Sequence, residues 1–593
     1  MPGRPLRIGP PLRGLTDLPS VSEPEHATQA LNVEFTNAAV ETRQGSARRA
    51  GDFLAADMRP RLMRFAEHDG FNGYTFVGLT ELSGGDKENQ NAMMSFGTTA
   101  NGAGGVIPGG NIRESQVAAA NLANRHLPIG TRWDMCAFRS YLDNKPRYIL
   151  CAERATGGTV YWSADNQNAA NQWNDFNILT PINREPRLGT PYHGGAAGSS
   201  RDSDDAGHRE DSWITNVLRA RYCRPHQHRL WLGKIGAVAG LDIPDPQSHI
   251  WCSNSLDPEG WAKENIVAPA GSDHTAVTGL GNYKDELLVF RRNSISRMNH
   301  SGKSAVFHFR EVVHGRGCVA HDTITEGVRG GVVFLAEDGV YAFTGSGELQ
   351  YLSKRIEQSL RRILVRPEIR GAWSCHYPKR RQVWFGLPEG EGASVPDAVW
   401  VMDYSTHEPS WSRFVWSESD ATRILVGGAA TDFDGNRIFV AMGRSDSTWD
   451  YVEADLDNTI QDDSNVSGSE IDYPSTYETG PIAWENNQFN RWRFIRPLFR
   501  PTGSHNITCT WRMDSVAADA ARSNTFSADG DGTGLGSFVL GTSRLGDNED
   551  HSTRVDVHGG GDGRYGRVGV SLTANRFHLL GFEIDSIARQ VRR

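Results

Sequence analysis

From Leu31 the chain alternates apolar and polar positions. Leu31, Val33 and Phe35 face one way, Asn37 supplies a turn residue that tolerates a left-handed backbone, and Val40 opens a return strand. This predicts a small hairpin ahead of the main body. From about residue 60 the period-two pattern recurs in short runs: MRFAEH, YTFVGLT, RYILCAER, TVYWSAD, HRLWLG, SHIWCSNS, ELLVFRRNSIS, GVVFLAEDGVYAF, RRQVWFGLP, DAVWVMDY and NRIFVAMG. Gly157-Gly158, Asp338-Gly339 and Asp434-Gly435 sit between runs as hairpin turns. One stretch, SKRIEQSLRRILV, keeps a helical period instead. Ser353 is placed to cap it, and Ile356, Leu360, Ile363 and Leu364 share a face.

Some of these runs resemble one another. VYWSADNQNAANQW (160–173) and HIWCSNSLDPEGW (249–261) both read strand, Ser-x-Asp, turn, Trp, with Ser163, Asp165 and Trp173 matching Ser255, Asp257 and Trp261. VWVMDYSTHEPSWSRF (399–414) is a weaker third copy ending at Trp411. A hairpin unit that recurs and closes on a packed Trp suits a β-propeller. The expected fold class is therefore all-β: a β-propeller with an N-terminal arm and hairpin and an added C-terminal β-sandwich-like domain. The expected boundaries are an arm and hairpin over 1–59, a propeller over 60–445 with insertions near 84–125 and 184–212, an acidic connecting segment over 446–479, and a β domain over 480–593. Residues 1–30, rich in Pro, read as an arm that needs a partner to become ordered.

Composition agrees with this reading. The 593 residues are 38% apolar and include 16 Trp and 64 Gly, which suits large cores joined by tight turns. The seven Cys, an odd number without a CxxC pair, are expected to be free, buried thiols in a protein made in a reducing cytosol. No apolar run reaches the roughly 18 residues a membrane span needs, and the Pro- and Gly-broken start does not read as a secretory signal. A net charge of −9 is mild for this length and gives no nucleic-acid footprint. The acid is uneven, however. Ser445 to Asn490 contains 11 acidic residues, among them Asp455, Asp457, Asp462 and Asp463, and no Lys or Arg, a composition suited either to a solvated loop or to a surface that repels a polyanion.

Motifs for catalysis, cofactors and metals fail on context. GDGRYG (561–566) fits a dinucleotide fingerprint by letter, but a strand pattern follows where a helix is required. Gly302-Lys303-Ser304 lacks the earlier Gly of a phosphate loop, since Arg297 occupies its place. SADGDGTG (527–534) puts Leu540 where a calcium loop needs Glu. Cys223, His226 and His228 match no zinc spacing. The expectation is a protein that is not an enzyme, with no cofactor and no metal. The Ser-x-Asp…Trp turns are similar to the Asp-boxes of sialidase propellers. That leaves an alternative: a sialidase-like or receptor-binding β-propeller acting on a host-surface glycan.

In order, the features resemble the tail nozzle (tail tube or stabilization) proteins of short-tailed bacteriophages. The resemblance is carried by Asn32-Val33-Glu34-Phe35 with Val40, Arg43 and Gly45, then IWCSNSLDPEGW (250–261), TGLGNYKDELLVFRRNSISRM (278–298), VVFLAEDGVYAFTGSGELQYLSKRI (332–356), DAVWVMDYSTHEPSWSRF (397–414) and the closing HLLGFEIDSIARQVRR. It implies a virion tail protein made in the host bacterial cytoplasm, with six copies in a ring. It implies contact with adaptor or portal proteins, fibres or a plug on the ring, and double-stranded DNA passing through the lumen without specific binding. A channel for DNA must not grip phosphates. Asp455, Asp457, Asp462 and Asp463 are therefore the expected channel-lining residues. Phe35, Arg43, Arg48 and Arg49 on the hairpin are the expected contacts to a neighbouring subunit or the adaptor.

Overall fold

The first strands of seven sheets pack side by side in a closed ring. In this computed structural model the described residues are most of 6–50, chiefly the strands between 58 and 178, and 219–456 and 470–588 apart from short gaps and 528–550. Six of the seven sheets are four consecutive strands in antiparallel register, and we number them as blades. Blade 1 runs from Met58 to Pro108, blade 2 from Trp133 to Ile178, and blade 3 from Tyr222 to Val267. Blade 4 runs from Gly279 to His314, blade 5 from Thr325 to Tyr351, and blade 6 from Trp373 to Phe414. Blade 7 takes three strands from Leu425–Leu456 and its fourth from the N-terminal strand Gly45–Ala50. The first strand of each blade packs on that of the next, and blade 7 returns to blade 1. This is a seven-bladed β-propeller whose ring is closed by residues that precede blade 1.

The segment before residue 51 does more than close the ring. Ala27–Leu31 extends blade 6 through Leu31 opposite Arg413, and pairs on its other edge with Pro474–Thr479. That sheet continues through Tyr565–Thr573, Asn506–Met513 and Arg522–Ser527. The hairpin Val33–Phe35 and Val40–Thr42 enters a second sheet with His578–Ala588 and Asn490–Arg500, onto which Leu6–Ile8 also adds. Val33, Phe35, Val40, Tyr477, Trp492, Phe499, Trp511 and Phe582 fill the core between the two sheets. The added C-terminal β domain is thus a sandwich completed by the N-terminus.

Several expectations need correction. The described parts of residues 1–30 find their partner within the chain: Leu15 N–H donates to Trp411, Asp17 N–H to Arg355, and Gly14 (φ 70°) lies too close to Trp411 to carry a side chain. The stretch 84–125 contains strands Asn91–Thr98 and Val106–Pro108, the outer half of blade 1. The stretch 184–212 lies outside the described residues. The acidic connector is largely strand: Trp449–Leu456 belongs to blade 7 and Pro474–Thr479 to the sandwich. The helix is Glu357–Leu364, with Leu360, Ile363 and Leu364 buried as the pattern requires. Ser353 does not cap it. Its Oγ accepts from Val340 N–H, and Asp17 of the arm caps instead, accepting from Ser359 N–H at 2.6 Å. Asp338-Gly339 does turn blade 5, and Gly339 is required because a Cβ there would come 2.5 Å from Ser353 Oγ.

Removal of residues 1–50 therefore strips strands from both bodies at once. The truncated protein is expected to lose its cooperative melting transition and to be digested by protease under conditions that leave the full chain intact. A truncated chain that melts like the full one would show that both bodies close without the segment.

Candidate functional site

Charged side chains meet at the centre of the ring, supplied by the innermost strands. Blades 1 and 5 are not neighbours, so a contact between them must cross the axis. Arg64 of blade 1 makes one, with Nη2 lying 2.7 Å from Oδ1 of Asp322 in the turn that leads into blade 5. A second crossing joins blades 2 and 5, where His321 Nε2 lies 2.9 Å from Asp134 Oδ2. Arg224 of blade 3 reaches Glu326 of blade 5 at 3.2 Å, and Asn282 N–H of blade 4 donates to the same carboxylate at 2.7 Å.

Asp134 is wholly buried and accepts from Met135 N–H at 2.9 Å and from Cys223 N–H at 2.8 Å. Burial alone would raise its pKa. His321 and Arg64 beside it outweigh that and hold the carboxyl well below the usual range. Burial likewise opposes the Arg224 charge, but Glu326 and Asp134 keep its pKa above the ordinary value. Leu280 N–H points at His321 Nδ1 at 3.4 Å, while Nε2 faces Asp134. Asp134, His321 and Asp322 bring three ligand atoms within 4.8 Å of one another, a set that could in principle hold a cation. The Arg64 guanidinium, 2.7 Å from Asp322 and 3.8 Å from Asp134, already supplies that charge. The axis is a set of internal ion pairs stapling non-adjacent blades.

The second polar centre lies where hairpin, blades 6 and 7 and sandwich meet. Asn32 (φ 52°) ties all of them: its Oδ1 accepts from Arg43 Nε at 3.2 Å and Val415 N–H at 2.9 Å, and its Nδ2 donates to Pro474 O at 2.8 Å. Arg43 is buried, with its guanidinium 3.8 Å from the Tyr473 ring centre and 4.8 Å from that of Trp416. Tyr473 Oη donates to Arg43 O at 2.5 Å. Phe35 is buried with its ring edge-on to Tyr477 at 6.5 Å. Phe35 and Arg43, expected to face a neighbouring subunit, are thus consumed inside this chain. Arg48 and Arg49 lie on the closing strand, with Arg48 opposite Val452, and their side chains fall outside the described residues.

The expected channel-lining residues also separate. Asp455 is buried at a bulge (φ 57°), where Arg380 grips it at 2.8 and 2.9 Å and Tyr377 Oη donates to it at 2.5 Å. It lines no channel, because three donors already enclose it. Asp457 lies outside the described residues, and Asp462 and Asp463 form a short strand of which only the backbone is described. Sequence reasoning missed Arg380, whose only signal was distance-blind: a basic residue in a turn, 75 positions from its partner.

The remaining candidates resolve into structure. Trp261 is buried against Trp251 at 5.3 Å, and Trp411 donates to Leu352 O at 3.1 Å, so in these copies the repeated turn Trp packs the blade. CRPHQHR is a hairpin turning at Gln227 and His228, both with positive φ. Cys223 faces the core with Cys136 and Cys151, whereas His226 meets Asn282 at 2.9 Å. All seven cysteines are buried and free, as expected.

Breaking the axial staple leaves a buried charge without its partner. Asp134→Asn and His321→Ala are each expected to lower unfolding free energy by about 3–5 kcal/mol, read by urea denaturation at neutral pH. Because the Asp134 pKa is depressed in the fold, its contribution is present above the ordinary carboxyl value and is lost as pH falls below about 4. The Asp134→Asn variant should therefore converge with the parent in acid. Added Zn²⁺ or Mn²⁺ should leave the melting temperature unchanged. A rise that His321→Ala abolishes would mean that a metal displaces Arg64.

No family model matches the chain, and no curated protein matches it. Among solved structures it is similar to the C-terminal WD40 domain of Sif2, at 10% identity over 67% of this chain and 99% of that one, with a TM-score of 0.31. It is also similar to the NanB sialidase of Streptococcus pneumoniae, at 11% identity over 70% and 71% with a TM-score of 0.33. A third is a glycoside hydrolase family 43 arabinoxylan arabinofuranohydrolase of Bacillus subtilis, at 10% identity over 90% and 97% with a TM-score of 0.25. Scores this low carry no argument about function.

Proposed function

We propose that this chain is a structural protein of a short-tailed phage tail, a nozzle subunit that assembles into a ring extending the DNA-ejection channel. The observation that supports this reading most is the place of the shared motifs in the fold. Asn32 and Arg43, from the N-V-x-F…R-x-G motif, are among the residues whose side chains knot propeller and sandwich together. The motifs at 250–261, 278–298, 332–356 and 397–414 fall in consecutive blades 3 to 6, and HLLGFEIDSIA is the strand His578–Ala588 that receives the hairpin. The resemblance thus runs along the framework itself. Residues that build a framework are what a structural role requires.

In this reading DNA does not pass along the propeller axis, which the Arg64–Asp322 and His321–Asp134 pairs cross. The lumen lies between subunits of the ring, and an uncharged or acidic lining lets the duplex slide. Asp457, Asp462 and Asp463 remain the candidate lining residues. Six copies, adaptor or portal proteins above, and fibres or a plug are the proposed partners.

The protein mixed with its adaptor and imaged by negative stain should give a six-fold ring with a central channel. Dispersed monomers beside intact adaptor rings would overturn the proposal. Within assembled particles, Asp462→Lys with Asp463→Lys should slow DNA ejection while leaving the particle count unchanged, since each added cation per subunit strengthens phosphate binding round the ring.

A further inference from the structure

The hairpin carries an acidic side chain into the seam, and the groups around it do not balance. Glu34 lies on the strand Val33–Phe35 and is buried. Arg380, in the turn between the first two strands of blade 6, approaches it at 3.9 Å. The same guanidinium is already held by both oxygens of Asp455 on blade 7. Tyr377 supplies a third donor to Asp455, whereas Glu34 has only Arg380 Nη1, at 3.9 Å and beyond hydrogen-bond distance. With both carboxyls ionised, one cation would face two buried anions.

The other charges that face Glu34 make this worse or are committed elsewhere. Glu41 stands directly opposite it in the hairpin register, held by His578 Nδ1 at 2.9 Å and by Thr36 Oγ1 at 3.4 Å. Asp403, at the end of the third strand of blade 6, accepts from Ser405 N–H at 2.7 Å. Arg329 and Arg381 lie on the Asp403 side. The cheapest neutralisation of the seam is a proton on Glu34.

We propose that Glu34, Arg380 and Asp455 form a proton-operated latch: the closed seam requires Glu34 to keep its proton, and losing it loosens the hairpin from blades 6 and 7. Burial, and next the Asp455 carboxylate, push the Glu34 carboxyl up to about 8, and Arg380 offsets only part of that. In the opened chain it returns to the ordinary value of 4.5. Between those values the closed state holds a proton that the open state releases. The latch is therefore tightest below the ordinary glutamate value, weakens as pH rises, and becomes independent of pH beyond about 8. The inference stands apart from the nozzle proposal, since it concerns a single chain.

Hydrogen exchange across a pH series, corrected for the intrinsic rate, tests it on the full chain. Peptides covering 27–50 and 449–456 should show an opening constant that rises about tenfold per pH unit between about 5 and 8. The Glu34→Gln variant, which mimics the protonated acid, should show no slope there, and blades 3 to 5 should show no slope in either protein. An equal slope in the variant, or none in the parent, overturns the latch. Should the variant not fold, infrared spectra of the parent labelled in glutamate decide: a carboxylic-acid band lost with a midpoint near 8 supports the latch, and its absence from the folded protein at neutral pH overturns it.

Discussion

Ring closure by the strand Gly45–Ala50 is the constraint on which the rest of this structure depends. A propeller is a chain of sheets, each buried only against its neighbours, and an unsealed first and last blade would expose two inner faces. Here the seal pairs residues 45–50 with Trp449–Leu456, so the last blade is incomplete until the start of the chain joins it. The price is a closing strand anchored at both sides. Toward the N-terminus that anchor is the hairpin and the strand Ala27–Leu31, which hold the sandwich. The sandwich is therefore bound to blade 6 by a shared sheet and to blade 7 by the same run of chain. Two bodies that could have hung on a linker are fused through residues 27–50.

Such fusion buries polar groups, and the molecule treats them in three ways. At the axis the pairs close: two aspartates, a glutamate, two arginines and a histidine find partners across the ring, and those partners outweigh the burial that opposes the Asp134 and Arg224 charges. At the seam one guanidinium serves two carboxyls. Arg43 shows a third solution, a buried cation met by aromatic faces and hydrogen bonds to Asn32 and Gln44. The contrast explains why the axis behaves as a staple and the seam as the place where protonation matters.

How much of this the sequence disclosed follows from the range of the interactions. Period-two runs and Asp-Gly turns are local, and they located the hairpins of blades 3 to 7 and the strand character of 565–573. The helix face was legible for the same reason, but its cap was not, because Asp17 reaches it from 342 residues away. The buried fates of Phe35, Arg43 and Asp455 were illegible for a related reason. An Arg in a basic, Gly-punctuated run looks solvent-exposed, and an Asp in a stretch without cations looks unpaired, until the fold brings Tyr473 or Arg380 to it. The outer strands of blade 1 read as an insertion because Gly, Asn and Ala dominate around them and hide the alternation in Asn91–Thr98.

That same range sets the order in which the chain can fold. Arg43 and Tyr473 stand 430 positions apart, and Thr28 bonds Glu478 across 450. At the pace of synthesis, roughly 5–20 residues per second, the hairpin and closing strand wait on the order of 20–90 s for their partners to be made. The four strands of each of blades 3 to 6 pair locally with one another and can form meanwhile. The N-terminal strands cannot, and they carry Val33, Phe35 and Val40 on open edges until the last blade and the sandwich arrive. A segment that must stay soluble while unpaired gains from carrying Glu34, Glu41, Arg43, Arg48 and Arg49 between its apolar residues. The charges that sit uneasily in the finished seam are what protect its strands before the seam exists.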